Sequence, residues 1–150
     1  MTTVKDIRVA LTKALKAEYP NVKVYGFDTV EGYERPSFFV YVTQTFYEPT
    51  INVTHKNVNI EIDYIQQTPD EADALSFFER MERLFCQKLQ VGERFLNTSD
   101  LQMYFDGENK NIPCFEMDVE FYSEIEKEPD TTPLMGEVIY DEEVKRWDYL

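Results

Sequence analysis

Pro36 stands between a polar loop and an aromatic, β-branched run, within the segment VKVYGFDTVEGYERPSFFVYV at residues 22–42. Proline lacks the amide proton that a sheet ladder needs, and its ring pushes the preceding residue, Arg35, out of the helical region. Pro36 is therefore confined to the first residue of a strand or to an edge. The strand is expected to begin after it, with residues 27–35 held at the margin of the sheet as a presented loop. From Phe38 to Tyr47 both alternating sets are bulky: Phe38, Val40, Val42 and Phe46 against Phe39, Tyr41 and Tyr47. A strand apolar on both sides is covered on both sides. One face is expected against helices, the other against a second layer or another subunit.

The flanking segments supply those layers. Val4, Ile7, Leu11, Ala14 and Leu15 recur at helical spacing, with Lys5, Arg8, Lys13 and Lys16 opposite. This predicts an amphipathic helix over residues 4–19, capped by Thr2 or Thr3 and stopped by Pro20. Residues 22–25 predict a short strand at an edge. Val58, Ile60, Ile62 and Tyr64 alternate with Asn57, Asn59, Glu61 and Asp63, the pattern of a strand with one wet face. Residues 48–53 are expected to connect it to the preceding strand, with Pro49 barring regular pairing.

Thr68-Pro69-Asp70-Glu71 predicts a second helix start, with Thr68 as cap and Pro69 at the first helical position. Its face is expected to carry Leu75, Phe78, Met81, Glu82, Phe85 and Leu89, ending near Gln90 before Gly92. Leu101, Met103 and Phe105, then Phe115, Met117, Val119 and Phe121, predict a closing hairpin. The fold expected is α+β: a mostly antiparallel sheet of four to five strands, two helices packed on one face, in the order α-β-β-β-α-β-β. Residues 1–122 form that domain. Residues 123–150 are expected to be an acidic extension, partly disordered or docking on a partner through anchors such as Trp147.

With 150 residues the chain is one domain's worth, and its formal charge of −14 disfavours a grip on nucleic acid, which draws affinity from clustered Lys and Arg. No apolar run approaches the roughly 20 residues of a membrane span. Two cysteines and one histidine lack the spacing of a common zinc site. A soluble protein of a reducing, cytosolic compartment is expected.

Candidate chemistry is sparse. Glu61 with Asp63, and Glu116 with Asp118, fall at the two-residue spacing that puts both on one strand face. Metal or acid/base work uses such pairs, but so does the wet side of any alternating strand, and the plainer reading is preferred. His55 reads as an exposed histidine, Cys86 as a small hydrophobe beside the second helix's core face, and Cys114 as the head of the last strand. No Gly-rich phosphate loop and no G-x-S-x-G setting occurs. Glu31, Tyr33 and Arg35, around Gly32, are the best interaction candidates, since Tyr and Arg are enriched among interface anchors.

With the helix VKDIRVALTKALKAEYP, the strand VKVYG, the loop EGYERPSFFVYV, the strand VNIEIDYIQ, the helix DEADALSFFERMERLF and the closing hairpin, residues 4–122 resemble the tail terminator family of long-tailed bacteriophages and prophages. The similarity rests mainly on ERPSFFV and on element order. It implies a structural protein, not an enzyme, without cofactor or metal, that assembles as a hexameric ring on the last ring of the tail tube. That ring would halt polymerisation and offer the surface that joins the head. Implied partners are its own copies, the tail tube protein and a head-completion or connector protein; DNA would pass through without sequence-specific binding, and no membrane is involved. The implied location is the virion tail, after assembly in the bacterial host cytoplasm. On this reading residues 27–35 and 48–53 serve axial contacts, and Phe39, Tyr41 and Tyr47 serve contacts around the ring. Two alternatives stay open: a head-tail connector or tail-completion protein, and a small acidic α+β enzyme or ligand-binding module using Glu61 and Asp63.

Overall fold

The computed structural model describes residues 2–125. Trp147, and the expected extension from residue 126 onward, lie outside the described residues. Along the chain run α1 (Val4–Glu18), β1 (Lys23–Tyr25), β2 (Ser37–Pro49), β3 (Val53–Ile65), α2 (Glu71–Phe85), β4 (Lys88–Val91), β5 (Arg94–Asp106) and β6 (Ile112–Glu124). The strands form one sheet in the order β1-β2-β3-β6-β5-β4.

This corrects the expected sheet in three ways. It has six strands, it is mixed because β1 runs parallel to β2, and it is curled. The extra strand is β4, whose residues helical spacing alone assigns to the end of α2. Leu89 does fall at helical spacing from Phe85, but Gln87 takes a φ of 73°, a left-handed conformation that stops the helix. Leu89 and Val91 then satisfy the two-residue strand period instead, both buried, and pair with Leu96 and Arg94 of β5. β5 itself begins at Arg94, well before the expected alternation at Leu101.

The first helix follows its sequence pattern. Thr3 Oγ1 accepts from the Asp6 amide at 3.2 Å, and Asp6 Oδ2 accepts from the Thr3 amide at 2.9 Å, a reciprocal capping box. Ile7, Leu11 and Leu15 are buried. The second helix departs from its pattern. Its cap is Asp70, not Thr68: Asp70 Oδ1 accepts from Ala72 at 3.0 Å and from Asp73 at 3.4 Å. Its core face is Ala74, Phe77, Met81 and Phe85, whereas Leu75 is 48% exposed. With adjacent phenylalanines at 77 and 78 two neighbouring stripes were both apolar, and docking chose the one through Phe77.

Both helices cover the same face of the sheet. Ile7, Leu11 and Leu15 of α1 and Phe77, Met81 and Phe85 of α2 share one core with Phe38, Val40, Ile60, Ile62, Phe115 and Met117. Phe38 is clasped by Tyr19, Tyr64 and Phe77, with ring centroids 5.1–5.7 Å apart.

β2 starts at Ser37, directly after Pro36, and the Arg35-Pro36 peptide is cis. Its register shifts between Gln44 and Phe46, so that Gln44 faces Val58 and Phe46 faces Asn57. Thr45 is the extra residue of a bulge, and a bulge inverts the alternation beyond it. Phe46 therefore joins the face of Phe39 and Tyr41, and Tyr47 joins the face of Phe38 and Val40, the reverse of a simple alternation. Pro49 pairs with Thr54, contrary to expectation. Among the described residues β1 covers β2 only as far as Phe39, and the rest of that side is an edge, where a strand tolerates proline.

Candidate functional site

Facing away from the helices, the outer side of the sheet gathers carboxylates of β3 and β6. The register sets Asp63 beside Cys114, Glu61 beside Glu116, Asn59 beside Asp118 and Asn57 beside Glu120. Asn59 Nδ2 lies 2.9 Å from Glu116 Oε1 and 3.0 Å from Asp118 Oδ1, so one amide serves two acids. His55 pairs with Glu120 and stacks on Tyr122 at 4.6 Å, while the Phe46 ring meets it edge-on at 5.2 Å. The histidine is thus half-buried in an aromatic cluster rather than free in solvent.

At the other end of this face lies a tighter group. Glu61, Asp63 and Cys114 offer carboxylate and thiol atoms that all lie within 4.8 Å of one another. Tyr104 Oη donates to Glu61 Oε1 at 2.5 Å, reaching across β6 from β5. The Cys114 thiol is directed at the Ile112 carbonyl, 3.4 Å away, and Asp63 Oδ1 is buried without a hydrogen-bond partner. Burial, with the charges of Glu61 and Asp106 adding to it and the neighbouring thiol partly offsetting it, pushes Asp63 from 3.8 up to about 6. Burial, then Asp63, raises the Cys114 thiol far above its ordinary range; burial, then the bond to Glu61, does the same for the Tyr104 phenol. Burial beside Asp63 and Glu61 also raises Tyr41. Glu61 and Asp63 were visible as a pair in the sequence. Cys114 and Tyr104 were not, because only the pairing of β3 with β6 and β6 with β5 brings them there.

The candidate interaction residues separate. Tyr33 folds back so that its ring meets Phe39 edge-on at 5.1 Å, and Tyr25 covers the same ring at 5.5 Å. Tyr25 Oη accepts from the Glu34 amide at 3.1 Å, tying the loop down. Phe39 is therefore buried by its own chain, and Tyr41 is half-buried above Glu61 and Asp63. Glu31 and Arg35 are exposed, with Arg35 Nη1 reaching the Gln66 carbonyl at 3.5 Å. Tyr47 is exposed, with the Lys56 ammonium 6.0 Å from its ring centre.

Exposed apolar side chains stand in the two loops that flank β2 in sequence: Phe27 at 84% and Val30 at 83% exposure before it, and Ile51 at 84% in the turn after it. That turn is held by Thr50, whose amide and hydroxyl both donate to the Val53 carbonyl, at 2.8 and 2.7 Å. The 13 residues of β2 span roughly 40 Å at about 3.3 Å per residue.

Among the described residues no helix is long and apolar enough to cross a membrane. No protein of curated function matches the chain. Of 24 solved chains that match, one covers 87% of this chain and 100% of its own length at 13% identity and a TM-score of 0.45, a likeness too slight to carry an argument. A family model is decisive: the one described as phage tail terminator protein matches residues 6–132. That span takes in α1 from Asp6 onward, all of α2 and the whole curled sheet with its acidic outer face, and the chain belongs to the phage tail terminator family.

Proposed function

We propose that this structural protein of the phage tail closes the tail tube as a hexameric ring, ends tube polymerisation and presents the surface that the head joins. The carrying observation is the family match over residues 6–132, with the exposed apolar side chains Phe27, Val30 and Ile51 standing in the two loops that flank β2. A terminator needs two opposed axial surfaces, one complementary to the tube protein and one to a head-completion or connector protein. A strand pair spanning the subunit fixes the distance between them. Exposed aromatics on the strand flanks, Phe46, Tyr47 and Tyr122, supply contacts to neighbouring copies. The outer face carrying Glu61, Glu116, Asp118 and Glu120 repels a phosphate backbone, as suits a wall past which DNA slides.

Negative-stain microscopy of the purified chain, alone and with tube protein, tests this. Rings with a central hole seated on tube ends are expected, with tubes of uniform length. Tubes that keep growing in the presence of saturating protein would reject the proposal, and labelling found at the head side of the connector, away from the tube, would favour a head-tail connector instead. Within the proposal, Tyr33→Ala combined with Arg35→Ala is expected to lengthen tails and reduce infectivity; unchanged tails would remove the loop at residues 27–35 from the axial contact.

A further inference from the structure

We propose that Glu61, Asp63 and Cys114 form a binding site for a divalent cation of intermediate softness, of the zinc type, that ties β3 to β6 on the outer face of the sheet. Three ligand atoms within 4.8 Å of one another are close enough to share one ion. The donor set selects its class: calcium and magnesium take oxygen ligands, whereas zinc accepts carboxylate and thiolate together and leaves a fourth position to water. The site rests on strand register, with Asp63 paired to Cys114 and Glu61 two residues along the same face. That gives it a stiffer base than a loop.

Three further observations point to an occupant. Asp63 Oδ1 and Ser37 Oγ are the two buried side-chain polar atoms without a hydrogen-bond partner among the described residues. Buried polar groups are nearly always paired. Ser37 is wholly buried and lies on this same face, paired with Ile65 where Phe39 pairs with Asp63. Second, the ion pairs among the described residues are Lys23–Glu34, His55–Glu120, Arg80–Glu18 and Arg83–Glu18, so no described basic side chain pairs with Glu61 or Asp63. Third, Tyr104 already donates to Glu61 Oε1, which orients the carboxylate and leaves its other oxygen for a metal, as an outer-shell partner does. On binding, the Cys114 S–H proton leaves to solvent and the sulfur bonds the ion; no electron is transferred.

The test uses the full chain, reduced and freed of metal, titrated with cobalt(II) as a spectroscopic probe and then with zinc. One equivalent of cobalt is expected to bind with a thiolate-to-metal charge-transfer absorption that zinc abolishes. Cys114→Ser should remove that absorption, and Tyr104→Phe should weaken binding by about tenfold. Glu116→Gln, on the same acidic face outside the site, and Cys86→Ser, at the other free cysteine, should change neither. Absence of the absorption in the unaltered chain overturns the proposal, as does its loss in Cys86→Ser or an equal weakening in Glu116→Gln. Should Cys114→Ser fail to fold, Glu61→Gln decides: a folded variant with at least about tenfold weaker cobalt binding supports the site, and unchanged binding rejects it.

Discussion

Tyr104 and Glu61 are joined by a hydrogen bond of 2.5 Å although their strands, β5 and β3, are separated by β6. The bond ties three strands together on the outer face, close to the half-buried acid Asp63. Removing the phenol leaves a partly buried carboxylate short of one donor. Tyr104→Phe is expected to cost about 1.5–3 kcal/mol in urea unfolding of the metal-free chain, the range for a hydrogen bond to a charged group. A change within error would show that water replaces the phenol.

Asp63 titrates near 6 in the folded chain against an ordinary 3.8. A raised carboxyl pKa means that the folded state holds its proton more tightly than the unfolded state. The associated stability is full below about pH 4 and is lost as pH rises through about 6. Asp63→Asn should flatten this slope and stabilise the metal-free chain by about 1 kcal/mol near pH 7.5, a figure discounted for partial solvent screening. Melting curves of both proteins across that window check the sign; parallel curves would show that Asp63 is not strained by burial.

Asp70, and not Thr68, caps α2 through its bonds to Ala72 and Asp73. Asp70→Ala should destabilise the chain by about 1 kcal/mol. Thr68→Ala should stay within about 0.5 kcal/mol of wild type, as surface changes do. Equal losses would place the helix start at the threonine after all.

The two apolar stripes of α2 differ in the same way. Phe77→Ala, in the middle of the aromatic core around Phe38, is expected to cost about 3–5 kcal/mol, and Leu75→Ala well under about 1 kcal/mol. Chemical denaturation of the pair measures the contrast directly.

Thr45 is held by Asn57, whose Nδ2 donates to Thr45 Oγ1 at 3.0 Å while that hydroxyl donates to the Asn57 carbonyl at 3.2 Å. Deleting Thr45 should restore plain alternation and leave Phe46 opposite Asn57, still beside His55. The ring-current shift on the His55 protons is therefore expected to persist; its loss would show that the strand re-registers when the bulge is removed.

Much of the fold was legible because single-segment physics decides it. A threonine cap at the head of α1, the stop at Pro20, the strand start after Pro36 and the alternations of β3 and β6 each follow from a few neighbouring residues. Errors arose where two local solutions were nearly equal. Leu89 satisfied both a helix and a strand period, and α2 offered two apolar stripes. At the candidate cation site, Glu61 and Asp63 were adjacent in one strand and easily noticed, whereas Cys114 and Tyr104 were dispersed over two others.

The sequence by itself determined where most chain segments bend and which faces are apolar, because propensity, capping and periodicity act over a few residues. Only the tertiary structure decided that β4 is a strand, that β1 runs parallel to β2, that Phe46 and Tyr47 exchange faces at Thr45, and that Tyr104, Glu61, Asp63 and Cys114 meet. Those outcomes depend on register between distant strands and on which stripe buries more area, quantities that exist only once the sheet has closed against its helices.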